Sequence, residues 1–372
     1  MKINIASYGG RNWLLELARE LDKQGHEVKF YSYLPSSRAL KFGLKKECNF
    51  SYFVLALPFL ALLKMTNRSF WSLYLFHRFF DFYMSIILKP CDIFIGQSPM
   101  HVKALNVAKR KYNAKIILER GTSHVLNYIK VLSANPAFKD KEIMPKKFLL
   151  RDLEGYKISD YIAVPSTYVA DTFIENGISE NKLIINPYGT NLAKFNKTVL
   201  DVTETFDVII VGQWSYRKGA DLLTKLCESY NISLLHVGPI IDVVFPKNDK
   251  MKHVDSVEEF KLLSYYKQAK VFVLPSREEG FGIVMAQAVA CGLPIVCSEY
   301  TGAKDLRSFI DNKDWITVMK EYSVTELYDC IKIALNLASS QNGDRNYSKN
   351  LDKNLSWEAY GQRYNEFLKT LL

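Results

Sequence analysis

Residues 271–303 constrain the fold more than any other stretch of this chain. A short β-branched run, Val271 to Leu274, ends in Pro275-Ser276, and the carboxylate pair Glu278-Glu279 follows one residue later. Gly280-Phe281-Gly282 then opens an apolar helix that stops at Gly292, before Pro294, and Ile295 to Cys297 reads as another strand. Strand, glycine loop, buried helix and strand in succession describe a parallel sheet covered on both faces. Such a loop places backbone N–H groups and a helix N-terminus at the carboxyl edge of the sheet, where an anionic ligand is favoured.

The same alternation runs through the rest of the chain. Ile3 to Ser7 reads as a strand, and Asn12 to Gln24 carries Trp13, Leu14, Leu17, Ala18 and Leu21 on one helical face before Gly25 ends it. Strands are expected at Val28 to Tyr31, Asp92 to Ile95, Lys115 to Leu118, Tyr161 to Val164 and Leu183 to Ile185, with a basic helix near Val102 to Lys111. The pattern restarts with a strand at Phe206 to Val211, a helix at Ala220 to Tyr230, a strand at Ser233 to Val237 and a helix at Val257 to Gln268. A chain of 372 residues is too long for one ordinary core and suits two α/β domains, 1–195 and 206–355, with the boundary in the polar stretch 196–205. A final amphipathic helix follows over 356–372, with Ser356 as its N-cap.

Charge is unevenly spread. Residues 1–195 hold 28 Lys and Arg against 16 Asp and Glu, whereas the remainder holds 21 against 23. Only the first half is expected to meet an anionic surface. No nucleic-acid recognition motif accompanies this charge, so no nucleic-acid partner is expected. The six scattered cysteines form no C-x-x-C pair, which argues against a zinc site or a disulfide framework and for a reducing, cytoplasmic setting. The start of the chain runs directly into a strand pattern rather than a signal peptide. Residues 52–88 are unusually apolar and aromatic, yet one run is too short to span a bilayer and the other carries His77, Arg78 and Asp81. Two readings fit this segment: a helix pair buried in the first domain, or one lying in a membrane interface, its aromatics flanked by Lys64, Arg68, Arg78 and Lys89.

A second strand–loop–helix unit, Val211-Gly212-Gln213-Trp214-Ser215-Tyr216-Arg217-Lys218-Gly219-Ala220, precedes the first. Together the two segments resemble the donor site of family 4 glycosyltransferases, which have the GT-B fold. That resemblance implies two Rossmann-like α/β/α domains facing a central cleft, with the final helix crossing back onto the first domain. It implies that Lys218 contacts the donor diphosphate and that Glu279 bonds the donor sugar, with the amides of Phe281 and Gly282 beside it. Two positions depart from the family pattern: Gln213 stands where an arginine is usual, and Gln287 where a second glutamate grips the ribose. Arg217 is a candidate to supply the missing charge. Gln287 reads equally as a polar residue packed within its helix.

In the first domain, Ser7-Tyr8-Gly9-Gly10-Arg11 follows the first strand, and the resemblance implies that Gly9 and Gly10 approach the donor and acceptor. Arg120-Gly121-Thr122-Ser123-His124 occupies the zone where the family often has a histidine facing the donor sugar. His124 is the candidate, against a structural or helix-capping role, and Arg120 is a candidate for an anionic acceptor. Glu278 reads as a solvated neighbour of Glu279, and His236 is left undecided.

The resemblance implies a retaining hexosyltransferase that uses a nucleotide diphosphate sugar, with no metal and no further cofactor. The acceptor is expected to be a glycan or lipid-linked saccharide of envelope polysaccharide biosynthesis, met peripherally at the inner face of the cell membrane. The alternatives are a non-catalytic relative that binds another glycosyltransferase, and a nucleotide-sugar epimerase.

Overall fold

The computed structural model describes residues 1–371 apart from Tyr8, Gly10, Arg11 and the stretches 140–141, 196–204 and 342–350. The expected boundary at 196–205 therefore lies almost wholly outside the described residues, as does Gly10. Among the described residues the strands form two parallel sheets. The first contains β1 (Lys2–Ala6), β2 (Glu27–Ser32), β3 (Asn49–Ser51), β4 (Ile93–Gln97), β5 (Lys115–Glu119), β6 (Tyr161–Val164) and β7 (Leu183–Ile185), in the order β3-β2-β1-β4-β5-β6-β7. The second contains β8 (Phe206–Val211), β9 (Leu234–Val237), β10 (Met251–Val254), β11 (Ala269–Leu274), β12 (Ile295–Cys297) and β13 (Ile316–Val318), in the order β10-β9-β8-β11-β12-β13. The protein has the GT-B fold: two Rossmann-like α/β domains.

Each sheet reverses its winding direction once, between β1 and β4 and between β8 and β11. Ligands of open α/β sheets bind beyond the carboxyl ends of the strands at such a reversal. The loops after β8 and β11 contain the two segments singled out in the sequence, and the loop after β1 contains Gly9.

The helices that matter for function are α1 (Trp13–Lys23), α2 (Phe53–Met65), α3 (Phe70–Ile87), α4 (Val125–Ser133), α5 (Thr167–Glu175), α6 (Ile283–Ala290), α7 (Ala303–Ser308) and α8 (Trp357–Lys369). Asn12 caps α1, its side chain accepting from Leu14 N at 3.2 Å, and Ser356 caps α8, accepting from Ala359 N at 3.0 Å. α8 lies on α1. A Cβ at Gly361 would overlap the Glu20 side chain, His26 Nε2 is 2.8 Å from Asn365 Oδ1, and the Arg363 guanidinium donates to Asn186 Oδ1 at 2.9 Å and Pro187 O at 2.7 Å.

The helix expected at Val257 to Gln268 is shorter than its pattern suggests. A 3-10 turn over Glu259–Lys261 leads into a single α-turn, Leu262–Tyr266. Residues 52–88 form the hairpin α2–α3, which is buried on one side, as the core reading expects, and exposed on the other. Phe76, Phe80 and Met84 are buried beneath it, while Val54, Met65, Trp71 and Ile86 are each more than half exposed.

Candidate active site

The centre of the site is an ion pair across the reversal of the second sheet. Lys218, at the end of a 3-10 turn over Tyr216–Lys218 after β8, meets the carboxylate of Glu279 from the loop after β11. The two loops are drawn together by backbone as well as side chains, with Arg277 N donating to Arg217 O at 2.8 Å. Gly219 makes this approach feasible. Its φ of 78° lies in the left-handed region, and a Cβ there would overlap the Pro275 carbonyl. Lys218 is almost fully buried, and burial pushes its ammonium down to about 7. The charge of Arg217 acts in the same direction, and Glu278 recovers only part of the loss.

Beside this pair, Glu278 departs from expectation. It is 0% exposed rather than solvated. Its Oε2 accepts from Arg217 Nη1 at 3.0 Å, as does its backbone carbonyl at 3.0 Å, and its Oε1 accepts from Ser123 N of the first domain at 2.8 Å. Arg217 is thus bound to Glu278 rather than held free for a ligand. The first domain packs against the next residue too. A Cβ at Gly280 would overlap the Gly121 carbonyl oxygen, and the Ser166 hydroxyl donates to Gly280 O at 2.5 Å. Glycine at 280 lets the two domains touch backbone to backbone.

Phe281 and Gly282 form the entrance to α6. Gly282 is its N-cap, with φ 83°, and the buried Phe281 carbonyl accepts from Gly302 N at 3.2 Å. The first-turn N–H groups of α6, at Ile283 and Val284, thus lie two and three residues beyond Phe281, at the same strand edge as Lys218 and Glu279. Gln287 sits one turn into α6, buried, its Oε1 accepting from Tyr266 OH at 3.2 Å. That is the packed-helix role rather than an open ribose contact. Gln213 is exposed in the loop after β8, and Gly9, with φ 57°, follows β1.

Two further residues, His124 and Arg120, differ from the site roles considered for them, and His236, left undecided by the sequence, has a structural one. His124 is the N-cap of α4: its Nδ1 accepts from Leu126 N at 3.3 Å, and its ring packs 5.0 Å from both Tyr156 and Phe173. Burial, then the neighbouring Arg120, lowers it to about 4, so it is a neutral structural histidine. Arg120 is buried and paired with Asp152 at 2.7 Å, which commits its charge internally and leaves none for an acceptor. His236 is fully buried, 2.9 Å from both His253 Nδ1 and Gly212 O, so it props the loop after β8 from behind. Sequence reasoning missed Glu278 and Ser123, because nothing local distinguishes a buried carboxylate from an exposed one.

The chain is similar in sequence and fold to known proteins. Residues 193–353 match the sequence family Glycosyl transferases group 1. The chain is 24% identical over 256 residues to the capsular polysaccharide biosynthesis glycosyltransferase CapM of Staphylococcus aureus, covering 60% of this chain and 65% of that one. It is 23% identical over 325 residues to a Campylobacter jejuni N,N'-diacetylbacillosaminyl-diphospho-undecaprenol alpha-1,3-N-acetylgalactosaminyltransferase, covering 78% and 81%. The chain thus spans just under two thirds of CapM. Among solved structures, sucrose-phosphate synthase from Thermosynechococcus elongatus superposes with a TM-score of 0.66 at 17% identity, over 100% of this chain and 98% of that one. Anabaena HepE in complex with UDP and glucose superposes with a TM-score of 0.63 at 13% identity, over 100% of both.

Proposed function

We propose that this chain, which carries a glycosyl transferase group 1 domain, is a retaining family 4 enzyme. It moves a hexose-type sugar from a nucleotide diphosphate sugar to an acceptor hydroxyl. The observation that carries this reading is the Lys218–Glu279 pair at the reversal of the second sheet. A cation for the diphosphate and a carboxylate for the sugar hydroxyls stand in contact, so that once the pair opens the two sides of the anomeric C–O–P linkage each meet a partner. Without donor the two groups neutralise each other, and with donor each exchanges its partner for a piece of the substrate.

As the glycosidic bond breaks, the leaving diphosphate gains negative charge, which Lys218 and the N–H groups at the start of α6 stabilise. The acceptor hydroxyl attacks the anomeric carbon from the same face, and its proton passes to the departing phosphate oxygen. Atoms and charge balance without a protein base, consistent with His124 being consumed as a helix cap. No step uses a metal. The UDP bound by HepE favours UDP as the nucleotide.

Calorimetry and thermal shift with UDP, GDP, ADP, CMP and dTDP test this reading. One nucleotide, at about 100 times its dissociation constant, is expected to stabilise the protein by about 2.7 kcal/mol. Lys218 titrates near 7 in the free protein, and a bound diphosphate raises it, so the complex holds more protons than its parts. Binding heats at pH 8 should therefore vary with the ionisation enthalpy of the buffer, and affinity should fall as pH rises above about 7. No stabilisation by any nucleotide at millimolar concentration would instead favour a non-catalytic relative, as Gln287 bound to Tyr266 would allow.

The acceptor in this reading is a lipid-linked envelope saccharide at the inner membrane face. The undecaprenol-linked substrate named for the Campylobacter relative and the capsular role of CapM support it. So does the hairpin α2–α3, which turns Val54, Leu57, Met65, Phe70, Trp71 and Ile86 to solvent in the more basic half of the chain. No helix among the described residues is long and apolar enough to cross a membrane, so the contact is interfacial. Binding to phosphatidylglycerol-containing vesicles is expected, and the Trp71→Ser/Ile86→Ser variant should bind at least tenfold more weakly, since each buried side chain is worth about 1.5–3 kcal/mol. Equal sedimentation of the two proteins with vesicles would remove the membrane from the reading.

A further inference from the structure

A cavity of about 1170 Å³ lies between the two domains, and neither Lys218 nor Glu279 lines it. Helices α4 and α5 of the first domain form one wall; the loop after β12, the helix α7 and residues Arg277 and Tyr322 form the other. The seam beside it is tied by Thr167, whose N and Oγ1 donate to Asp305 at 3.0 and 2.6 Å, and by Tyr216 OH, which donates to Ala134 O at 3.1 Å.

The cavity is lined by a series of tyrosine rings set at angles to one another. Tyr168 of α5 lies 6.0 Å from Tyr300, and Tyr300 lies 6.4 Å from Tyr322. The Arg277 guanidinium stacks 4.7 Å from the Tyr322 ring and 3.7 Å from the Tyr216 ring. Asp221 fixes that guanidinium with two bonds, at 2.6 and 2.8 Å. The run therefore starts on the first domain and ends at Tyr216, two residues before Lys218.

Three features identify the occupant. Tyrosine offers an apolar face and a polar tip, as a pyranose ring offers a C–H face and a hydroxyl edge. The charges around the run are of both signs, with Lys130, Lys304, Arg307, Lys313 and the Asp221-paired Arg277 among Asp171, Glu175 and Glu299. That mixture suits a ligand rich in hydroxyls; a nucleotide or free phosphate would call for cations alone. The volume exceeds the roughly 300–1000 Å³ typical of small-molecule pockets, which leaves room for several sugar units.

We propose that this cavity binds an oligosaccharide: the non-reacting stretch of the glycan acceptor or product, laid along Tyr168 and Tyr300 towards Tyr322 and the Arg277–Tyr216 stack. The proposal rests on the glycosyltransferase reading above for the origin of the glycan. Because the occupant touches both domains and abuts the loop that carries Lys218, its binding favours the closed arrangement of the cleft.

The test uses oligosaccharides of four to six units, released by mild acid from the envelope polysaccharide of the source cell, with the constituent monosaccharides as controls. Hydrogen exchange of the full chain should show protection of 125–133, 167–175 and 299–308 by the oligosaccharides and not by the monosaccharides. Tyr168→Ala/Tyr300→Ala should weaken oligosaccharide binding at least tenfold and leave the nucleotide thermal shift unchanged. Tyr300→Phe, which keeps the ring, should bind as the wild type does and guards against a folding defect. Equal binding by the double variant, protection confined to other segments, or no oligosaccharide binding by a wild type that still responds to nucleotide would each overturn the proposal. Protection at the cavity without any nucleotide response would keep the site and overturn the donor reading instead.

Discussion

Replacing Lys218 with alanine should lower kcat/KM for sugar transfer by about 10²–10³-fold and abolish stabilisation by the cognate nucleotide. The loss should appear in both KM and kcat, because Lys218 holds the diphosphate in the ground state and meets still more charge on it in the transition state. Folding should change far less. Lys218 is buried at a cost that its lowered ionisation already records, and the Glu279 side chain left behind keeps contact with water. Lys218→Arg should recover part of the activity, since the charge survives while the tight fit beside Gly219 does not. Steady-state kinetics with a labelled sugar donor, alongside unfolding temperatures of the three proteins, separate these effects. Nucleotide binding that is untouched in Lys218→Ala would place the diphosphate elsewhere and sink the mechanism.

The second large effect belongs to Glu278. Its removal leaves Arg217 without its carboxylate and Ser123 N without its acceptor, both at a buried interdomain contact. Glu278→Ala should destabilise the protein by about 3–5 kcal/mol, the range expected when one member of a buried pair is lost. Glu278→Gln should fall in between, because an amide oxygen still accepts from Ser123 N while the charge is gone. Hydrogen exchange at Ser123 and the thermal midpoint are the measurements. The two should move together if the carboxylate joins the domains, and an unchanged midpoint with fast exchange at Ser123 would show a local contact only.

Strands with an apolar, β-branched run were legible in the sequence because such a run is a local property. β8 and β12 lie where the pattern places them, and β1, β4, β5 and β11 differ from it by one or two residues. β3, β10 and β13 escaped notice: each is only three or four residues long and ends a sheet, where pairing on one side demands little of the sequence. Lys218 and Glu279 could be singled out by the family resemblance of their two strand–loop–helix segments, and the β8/β11 neighbourhood brings those loops together. Glu278 could not. Its burial depends on Arg217, 61 residues away, and Ser123, 155 residues away, and no local pattern encodes either. His124 fails for a related reason, since a residue that follows a strand and opens a helix can face the cleft or cap the helix, and Leu126 N and Thr172 decide between them.

The lodging of α8 against α1 gives the molecule a modular plan. The first domain is closed by a segment that follows the second domain in the chain, so the second sheet is an insertion within the first domain rather than an appendage to it. The contacts of α8 with α1 therefore tie the end of the chain to the first domain. A second half exchanged as a cassette between β7 and α8 would thus leave the host half with its own clasp, and grafts of this kind should respect those two points.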